Sequence, residues 1–564
     1  MQYIQVLAYG PFLLCVACAS GQEDAAASLG SVGGGSGQTD ADDDSADGSG
    51  TSEPTGGGDG DGAGDCQASG TCPPGEACGS AEECSLGNCV EGICCDAPCD
   101  GVCQSCSAAG LCGATPANED PACSPTCQDA GDCGGETEWA ISFGAPTEGE
   151  SYDRIIDVAV DGMGNIYVVG SFEGSFDLGN GALSSAGLND IFVASFSPNR
   201  VHRWSRRLGG TGADTAHAVA LLPAGGVVIA GSVSGDPGFG GKFPSSGLRG
   251  FVMTLDETTG TPLASTAIAS TESSRLLDVD VGSGGEIFGV GGYFGELQAG
   301  PATTSVGDED MFIVKLSADL TPQWNWSYGG ESKDLLRGVS VSAAGAVAVT
   351  GYVSDTDKNK QTNTGLDVYV AHLADGPTPT VDWDETYISS SGGKDKAHNV
   401  VFLPDGDVVV AGYFGTDVNF GSGDLTSAGE SEVFVVQLAS NSGAAVWASR
   451  FGASLPDVAH AITADSSGNI IIAGRFQEQI SFGGAALMAV DGQDAFVAKL
   501  SSGNGAHIWS HAFGGTSGQS LLGVATDLQD NVYVGGHFAG SVDSVNPPLA
   551  AADNVDALLL KLTP

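Results

Sequence analysis

From about residue 139 to its end the chain says one thing seven times, at intervals of 60–62 residues. The clearest copies are Ile166-Tyr-Val-Val-Gly170-Ser-Phe172, Val227-Val-Ile-Ala-Gly231-Ser-Val233, Val408-Val-Val-Ala-Gly412-Tyr-Phe414 and Ile470-Ile-Ile-Ala-Gly474-Arg-Phe476. Gly291, Gly351 and Gly536 complete the set. A repeat of this length is one supersecondary unit that cannot bury its own apolar faces, so the units must stack on one another.

The second unit shows how a copy is built. Ala218-Val-Ala-Leu-Leu222 reads as a short apolar strand, Pro223-Ala-Gly-Gly226 turns the chain, and Val227-Val-Ile-Ala230 forms a second, β-branched strand. The matching turns are Asp161-Gly-Met-Gly-Asn165, Pro404-Asp-Gly-Asp407 and Asp465-Ser-Ser-Gly-Asn469, all suited to hairpins. A longer loop leads to a third strand, as in Asp190-Ile-Phe-Val-Ala-Ser-Phe196, Asp310-Met-Phe-Ile-Val-Lys-Leu316 and Asp494-Ala-Phe-Val-Ala-Lys-Leu500. A fourth carries Trp204, Trp324, Trp383, Trp447 or Trp509. Inner strands that are apolar on both faces need cover on both sides, and small sheets stacked around an axis supply it. No stretch sustains a 3.6-residue period, which excludes helical solenoids. The expected fold is all-β, a seven-bladed propeller of four-stranded blades over 136–564.

The ends predict how the ring closes. Glu138-Trp139-Ala-Ile-Ser-Phe-Gly144 has the pattern of a fourth strand yet precedes the first full set, while the last unit stops after its third, Leu558-Leu-Leu-Lys-Leu562. Residues 138–144 should therefore complete the last blade. The G-N-[IV]-[YI]-[VI]-x-G-x-F hairpin and the D-x-F-V-x-K-L strand resemble the bacterial seven-bladed propeller repeat family known as SBBP, across roughly 138–564. That resemblance implies a surface or secreted setting and no defined reaction. The third unit departs from it, with Leu263 in place of Trp and Gly291-Gly292 reading as one residue more.

Charge divides the chain. Residues 1–153 hold 26 of its 70 Asp and Glu and none of its 19 Lys and Arg, the first being Arg154. The formal net charge of −51 leaves no basic footprint for nucleic acid. Residues 4–18 are apolar but too short to span a bilayer, as in an export signal. The ending Cys15-Val-Ala-Cys18 resembles a bacterial lipoprotein signal, which makes Cys18 the expected lipidated residue of an outer-membrane lipoprotein; plain secretion is the alternative. Residues 19–65, rich in Gly, Ser and Asp, read as a disordered acidic tether. Within it Asp59-Gly-Asp61-Gly-Ala-Gly-Asp65 is a faint calcium-loop pattern, short of a third oxygen ligand and a distal Glu. No cofactor is otherwise indicated.

Fourteen cysteines then fall within 66–135, at Cys66, Cys72, Cys78, Cys84, Cys89, Cys94, Cys95, Cys99, Cys103, Cys106, Cys112, Cys123, Cys127 and Cys133, and none follows. An even number in a segment poor in large apolar residues predicts a disulfide scaffold of an oxidising compartment. Cys103-Gln-Ser-Cys106 has zinc-like spacing, but no His or second such pair accompanies it.

Candidate binding residues recur in register. Asp-x-Ala-His appears as Asp214…His217, Asp395…His398 and Asp457…His460, each His 14 residues before the repeat Gly; Arg337 and Ile156 take the same place. These positions open a blade's first strand, near the expected channel. Direct zinc ligation from blades two, five and six is excluded by the bond length of about 2.1 Å. The Asp residues are expected to accept loop N–H groups. Arg200, Arg203, Arg206 and Arg207 cluster around an outer strand, either guarding its edge or docking an anionic glycan or the acidic tether. Asp355-Thr-Asp-Lys-Asn-Lys-Gln361 and Lys394-Asp-Lys396 are further breaks in the repeat. Nucleophile elbow, HExxH, P-loop and Asp-box are absent from the sequence. The expectation is a monomeric binding or scaffold protein for a cell-surface glycan or protein; the alternative is a propeller polysaccharide hydrolase or lyase using carboxylates brought together by folding.

Overall fold

The computed structural model describes residues 134–144, 152–239, 247–354, 365–389, 392–552 and 554–564, with the backbone of four short strands between 89 and 114. The signal, Cys18, the tether with its calcium-like loop, and residues 355–361 lie outside the described residues. So do all the cysteine side chains. The backbone ladders place Cys89 opposite Cys94 and Cys106 opposite Cys112.

Seven four-stranded antiparallel sheets form the propeller. Blade 1 consists of Arg154–Val160, Ile166–Asp177, Ala182–Phe196 and His202–Leu208, paired in that order. Blades 2 to 6 follow the same order, their first strands being Thr215–Leu221, Ser273–Val281, Leu335–Val341, Lys396–Phe402 and Val458–Ala464. Blade 7 takes Gln519–Thr526, Val532–Phe538 and Asp556–Leu562 from the end of the chain, and its outer strand, Thr137–Phe143, from the beginning. Each first strand packs against the first strands of both neighbouring blades, so these seven strands surround the axis.

The closing strand behaves as the sequence requires. Leu558, Leu559 and Leu560 face Ser142, Ile141 and Ala140 in register, and Trp139 and Phe143 are buried. The two chain ends mimic a hairpin: the Gly135 N–H donates to the Thr563 carbonyl, and the Thr563 N–H donates to the Glu136 carbonyl.

The fourth-strand tryptophans latch one blade to the next. The indole N–H of Trp204 donates to the Glu257 carbonyl at 3.0 Å, that of Trp383 to the Ser440 carbonyl at 2.8 Å, and that of Trp447 to the Ser502 carbonyl at 2.9 Å; each acceptor lies in the outer hairpin of the following blade. The ring then lies flat on Gly260, Gly443 or Gly505, where a Cβ would collide with it and where φ is positive. Trp509 sits the same way on Gly134 and Gly135 at the joined termini. Blade 2 lacks the latch: the register puts Ala264, not Leu263, at the Trp position opposite Thr254, and Leu263 is the residue that the ladder skips, exposed at the surface.

Every first strand carries a β-bulge between its third and fifth residue. The ladder skips Ile156, His217, Leu277, Arg337, His398, His460 and Leu522. That skip explains the repeat Gly. A Cβ at Gly170, Gly231, Gly291, Gly351, Gly412, Gly474 or Gly536 would run into the carbonyl oxygen two residues before the bulge. Blade 3 contains no extra residue, contrary to the reading of Gly291-Gly292: Gly292 pairs with Arg275 as Ser171 pairs with Arg154.

Candidate functional site: one rim of the axial channel

All four sequence candidates, His217, Arg337, His398 and His460, occupy the bulge position at one end of the innermost strands. The remaining bulge residues, Ile156, Leu277 and Leu522, are apolar. The ring is therefore built on one backbone plan but is chemically uneven around the axis. A bulge turns its residue out of the ladder, which makes it a place to present a side chain.

Part of this set ties the ring together. His217 Nδ1 lies 2.8 Å from the Leu276 carbonyl of the next blade, and His398 Nδ1 lies 3.0 Å from the Ala459 carbonyl of the next. The rings of His398 and His460 stack at 5.2 Å, and Tyr413 meets His398 edge-on at 5.4 Å. Burial pulls the His217 imidazole down to about 4, assisted by the nearby Arg275, Arg154 and Arg337 guanidiniums, so it is neutral near pH 7.

The Asp residues that precede these positions are structural. One oxygen of Asp153, Asp214, Asp334, Asp395 and Asp457 accepts the N–H of Glu173, Ser234, Ser354, Gly415 and Gln477 respectively, pinning the end of the second strand. In Asp214, Asp334 and Asp457 the other oxygen accepts a loop N–H, from Gly210, Gly330 and Ala453. A second layer of acids clasps neighbouring first strands deeper in the channel. Asp157 accepts from Val219 of blade 2 at 2.9 Å, and Asp278 and Asp280 accept from Val339 and Val341 of blade 4 at 2.8 and 2.7 Å.

Burial pushes Asp157 up to about 7 and Asp280 up to about 6, while burial with the Asp157 charge raises Asp278 well above the usual carboxylate range. Burial likewise raises Asp395 and Asp457 to about 7. A raised carboxyl binds its proton more tightly in the folded state, so its contribution is full below about pH 4 and is lost as pH climbs through about 7. His217 at about 4 and His537 at about 3 act in the opposite sense between there and 6.5. The carboxyls outnumber them. The propeller should melt higher at pH 5 than at pH 8 in thermal scans; a flat or opposite profile would refute this assignment of the carboxyls.

Further basic side chains complete the rim, of which the sequence reading singles out only Lys396. Arg154, Arg275 and Lys396 each lie two residues before the bulge of their strand, and Arg475 and His537 lie one residue beyond the repeat Gly, opposite Val458 and Ser520. With His217 of blade 2 and Arg337 of blade 4, every blade contributes an Arg, Lys or His at this height. Reading the column after the repeat Gly (Ser171, Ser232, Gly292, Tyr352, Tyr413, Arg475, His537) was the available signal. Arg275 forms a two-point ion pair with Glu309, at 2.9 and 2.7 Å, and the Lys396 ammonium sits 5.1 Å above the Tyr352 ring.

Between blades 5 and 6 the rim opens into a cleft of about 280 Å³ lined by Lys394, Tyr413, Thr416, Glu430, Ser431 and Pro456. The outer-strand arginines, by contrast, are absorbed by the fold. Arg207 pairs with Asp190, Arg203 donates to Ser195 and Tyr167, Arg206 reaches the Thr259 carbonyl of blade 2, and Arg200 lies over Trp139 at 5.6 Å. They knit blades 7, 1 and 2 together, which is a different role from edge protection or docking.

No family model and no curated protein matches the chain. Some solved structures are similar to the chain. The WD40 β-propeller domain of Doa1 is similar at 10% identity and a TM-score of 0.38, over 75% of this chain and 97% of that one. The Dos1 propeller is similar at 9% and 0.37, over 73% and 94%. BamB from Moraxella catarrhalis is similar at 13% and 0.32, over 73% and 97%. These likenesses are of fold and carry nothing about ligand.

Proposed function

We propose that this chain is an extracytoplasmic binding or scaffold protein that presents one rim of its propeller to a cell-surface glycan or protein. The observation that carries the reading is the rim itself, where a uniform backbone plan holds basic side chains in some blades and apolar ones in others. Ligand recognition needs such irregularity, whereas ring construction does not. The signal-like start, the acidic tether and the Cys-rich segment support attachment through Cys18 on the outer membrane, with secretion as the alternative. Metabolic palmitate labelling should mark the wild type and fail in Cys18→Ser; equal labelling removes the anchor.

A hydrolase or lyase stands second. Asp157, Asp278 and Asp280 each already accept two backbone N–H groups, which opposes their use as proton-transfer groups. A screen of the full chain against glycans and surface proteins, with and without calcium, should give saturable binding without turnover. Turnover on a polysaccharide would favour the enzyme, and the lack of any ligand would count against a binding role.

A further inference from the structure

The rim and the cleft beside it have chemistry that narrows the ligand. Only 19 Lys and Arg stand against 70 Asp and Glu in the chain. Random placement would leave the rim acidic, yet Arg154, Arg275, Arg337, Lys396 and Arg475 reach it from five blades. Their proximity is physical: Arg154, Arg275 and Arg337 all depress His217, and Arg154 and Arg475 depress His537. Buried in this cationic surround, His537 Nδ1 has no hydrogen-bond partner.

The cleft between blades 5 and 6 continues this surface, since Tyr413 both lines it and touches His398 of the bulge ring. Lys394 is exposed on the cleft wall, and Glu430 is exposed in the same lining. The Thr416 hydroxyl is buried there without a hydrogen-bond partner. Gly393 lets the cleft wall pack closely on the fold, because a Cβ would approach Asp395, Thr416 and Ser389 within 2.7, 2.9 and 3.3 Å. An aromatic ring, a cation, a carboxylate and a hydroxyl in a short, largely apolar cleft suit a pyranose ring, which has apolar faces and several hydroxyls. An extended peptide would instead want an exposed sheet edge or an apolar groove.

We infer that this cleft and the adjoining rim bind a carboxylated sugar residue, as at the end of a uronic-acid polysaccharide. Lys394 holds the sugar carboxylate beside the basic rim, Tyr413 lies against the pyranose, and Glu430 and Thr416 take its hydroxyls. The inference rests on the binding reading given above and narrows it to one ligand class.

The test is calorimetric titration of the full chain with trigalacturonate, its methyl ester and sodium acetate. The inference expects saturable binding of the acid, weakened about 10-fold or more in the ester, because a charge-assisted hydrogen bond is removed. Lys394→Gln should lose about 10-fold as well. Lys561→Gln, which removes the same charge from the outer side of blade 7, should bind as wild type. Equal affinity for ester and acid, an unchanged Lys394→Gln, or acetate binding as tightly as trigalacturonate would each overturn the inference. No binding of trigalacturonate would also overturn it, while the glycan and protein screen would still decide the broader binding role.

Discussion

A chain lacking residues 134–144 loses the cooperative melt of the intact propeller. The missing strand is the outer quarter of blade 7, and its removal uncovers Asp556–Leu562, a strand buried along its whole length. Two large side chains go with it, Trp139 and Phe143, both in the core shared by blades 7 and 1. Removal of a buried Trp or Phe costs about 3–5 kcal/mol each. A typical domain has only about 5–15 kcal/mol in total. The Trp509 latch also loses its seat on Gly134 and Gly135. The exposed edge would then invite pairing between molecules, so aggregation should accompany the loss. Circular dichroism melts and light scattering check this, and an unchanged melt would show that the ring does not depend on its amino-terminal strand.

Gly474→Ala should be nearly as damaging, although it adds one methyl group. The new Cβ would enter the space of the Val458 carbonyl oxygen and press on the Ala459 Cα and the Phe496 ring. The first two obstacles are backbone, held by the bulge, so no rotamer change relieves them. Overpacking of this kind costs about 1–3 kcal/mol where side chains can yield, and more where they cannot. We expect a loss of about 3 kcal/mol or more in denaturant unfolding. Gly518→Ala is the control, because a Cβ there meets nothing within 4 Å and φ is not positive. Equal stability of the two variants would contradict the bulge explanation of the repeat.

Much of this was legible in the chain because the repeat averages out local noise. Hairpin turns such as Asp161 to Asn165 are self-contained: Asp161 accepts the N–H groups of Met163 and Asn165, so the motif announces its own conformation. The closing strand was legible for the same reason, and Thr137–Phe143 differs from the expected 138–144 by one residue at each end. The positions of His217, Arg337, His398 and His460 near the axis also followed from their place in the first strand.

What escaped were features set by contacts between repeats. The bulge needs the ladder register, which a spacing of 14 residues between His217 and Gly231 marks without explaining. The outer arginines read as one surface cluster because their partners, Asp190, Tyr167, the Thr259 carbonyl and Trp139, come from three different blades. Arg475 and His537 were hidden inside the strand motif, where attention goes to the Gly before them. The hairpins joining second to third strands look like plain loops in the sequence. In fact Phe420 packs on Tyr387 of the preceding blade at 4.7 Å, and Phe482 on Phe451 at 5.0 Å. A sequence period shows that units stack, but the side chains that lock one unit to the next are read only from the assembled ring.

Amide hydrogen exchange on the intact chain tests that ring most directly. In the closed propeller, alternate amides of Thr137–Phe143 bond to Asp556–Leu562 and should exchange only with global unfolding, as slowly as the central strand of another blade such as Ile470–Ile480. Exchange of that whole segment within seconds, beside protected blades 1 to 6, would contradict the account.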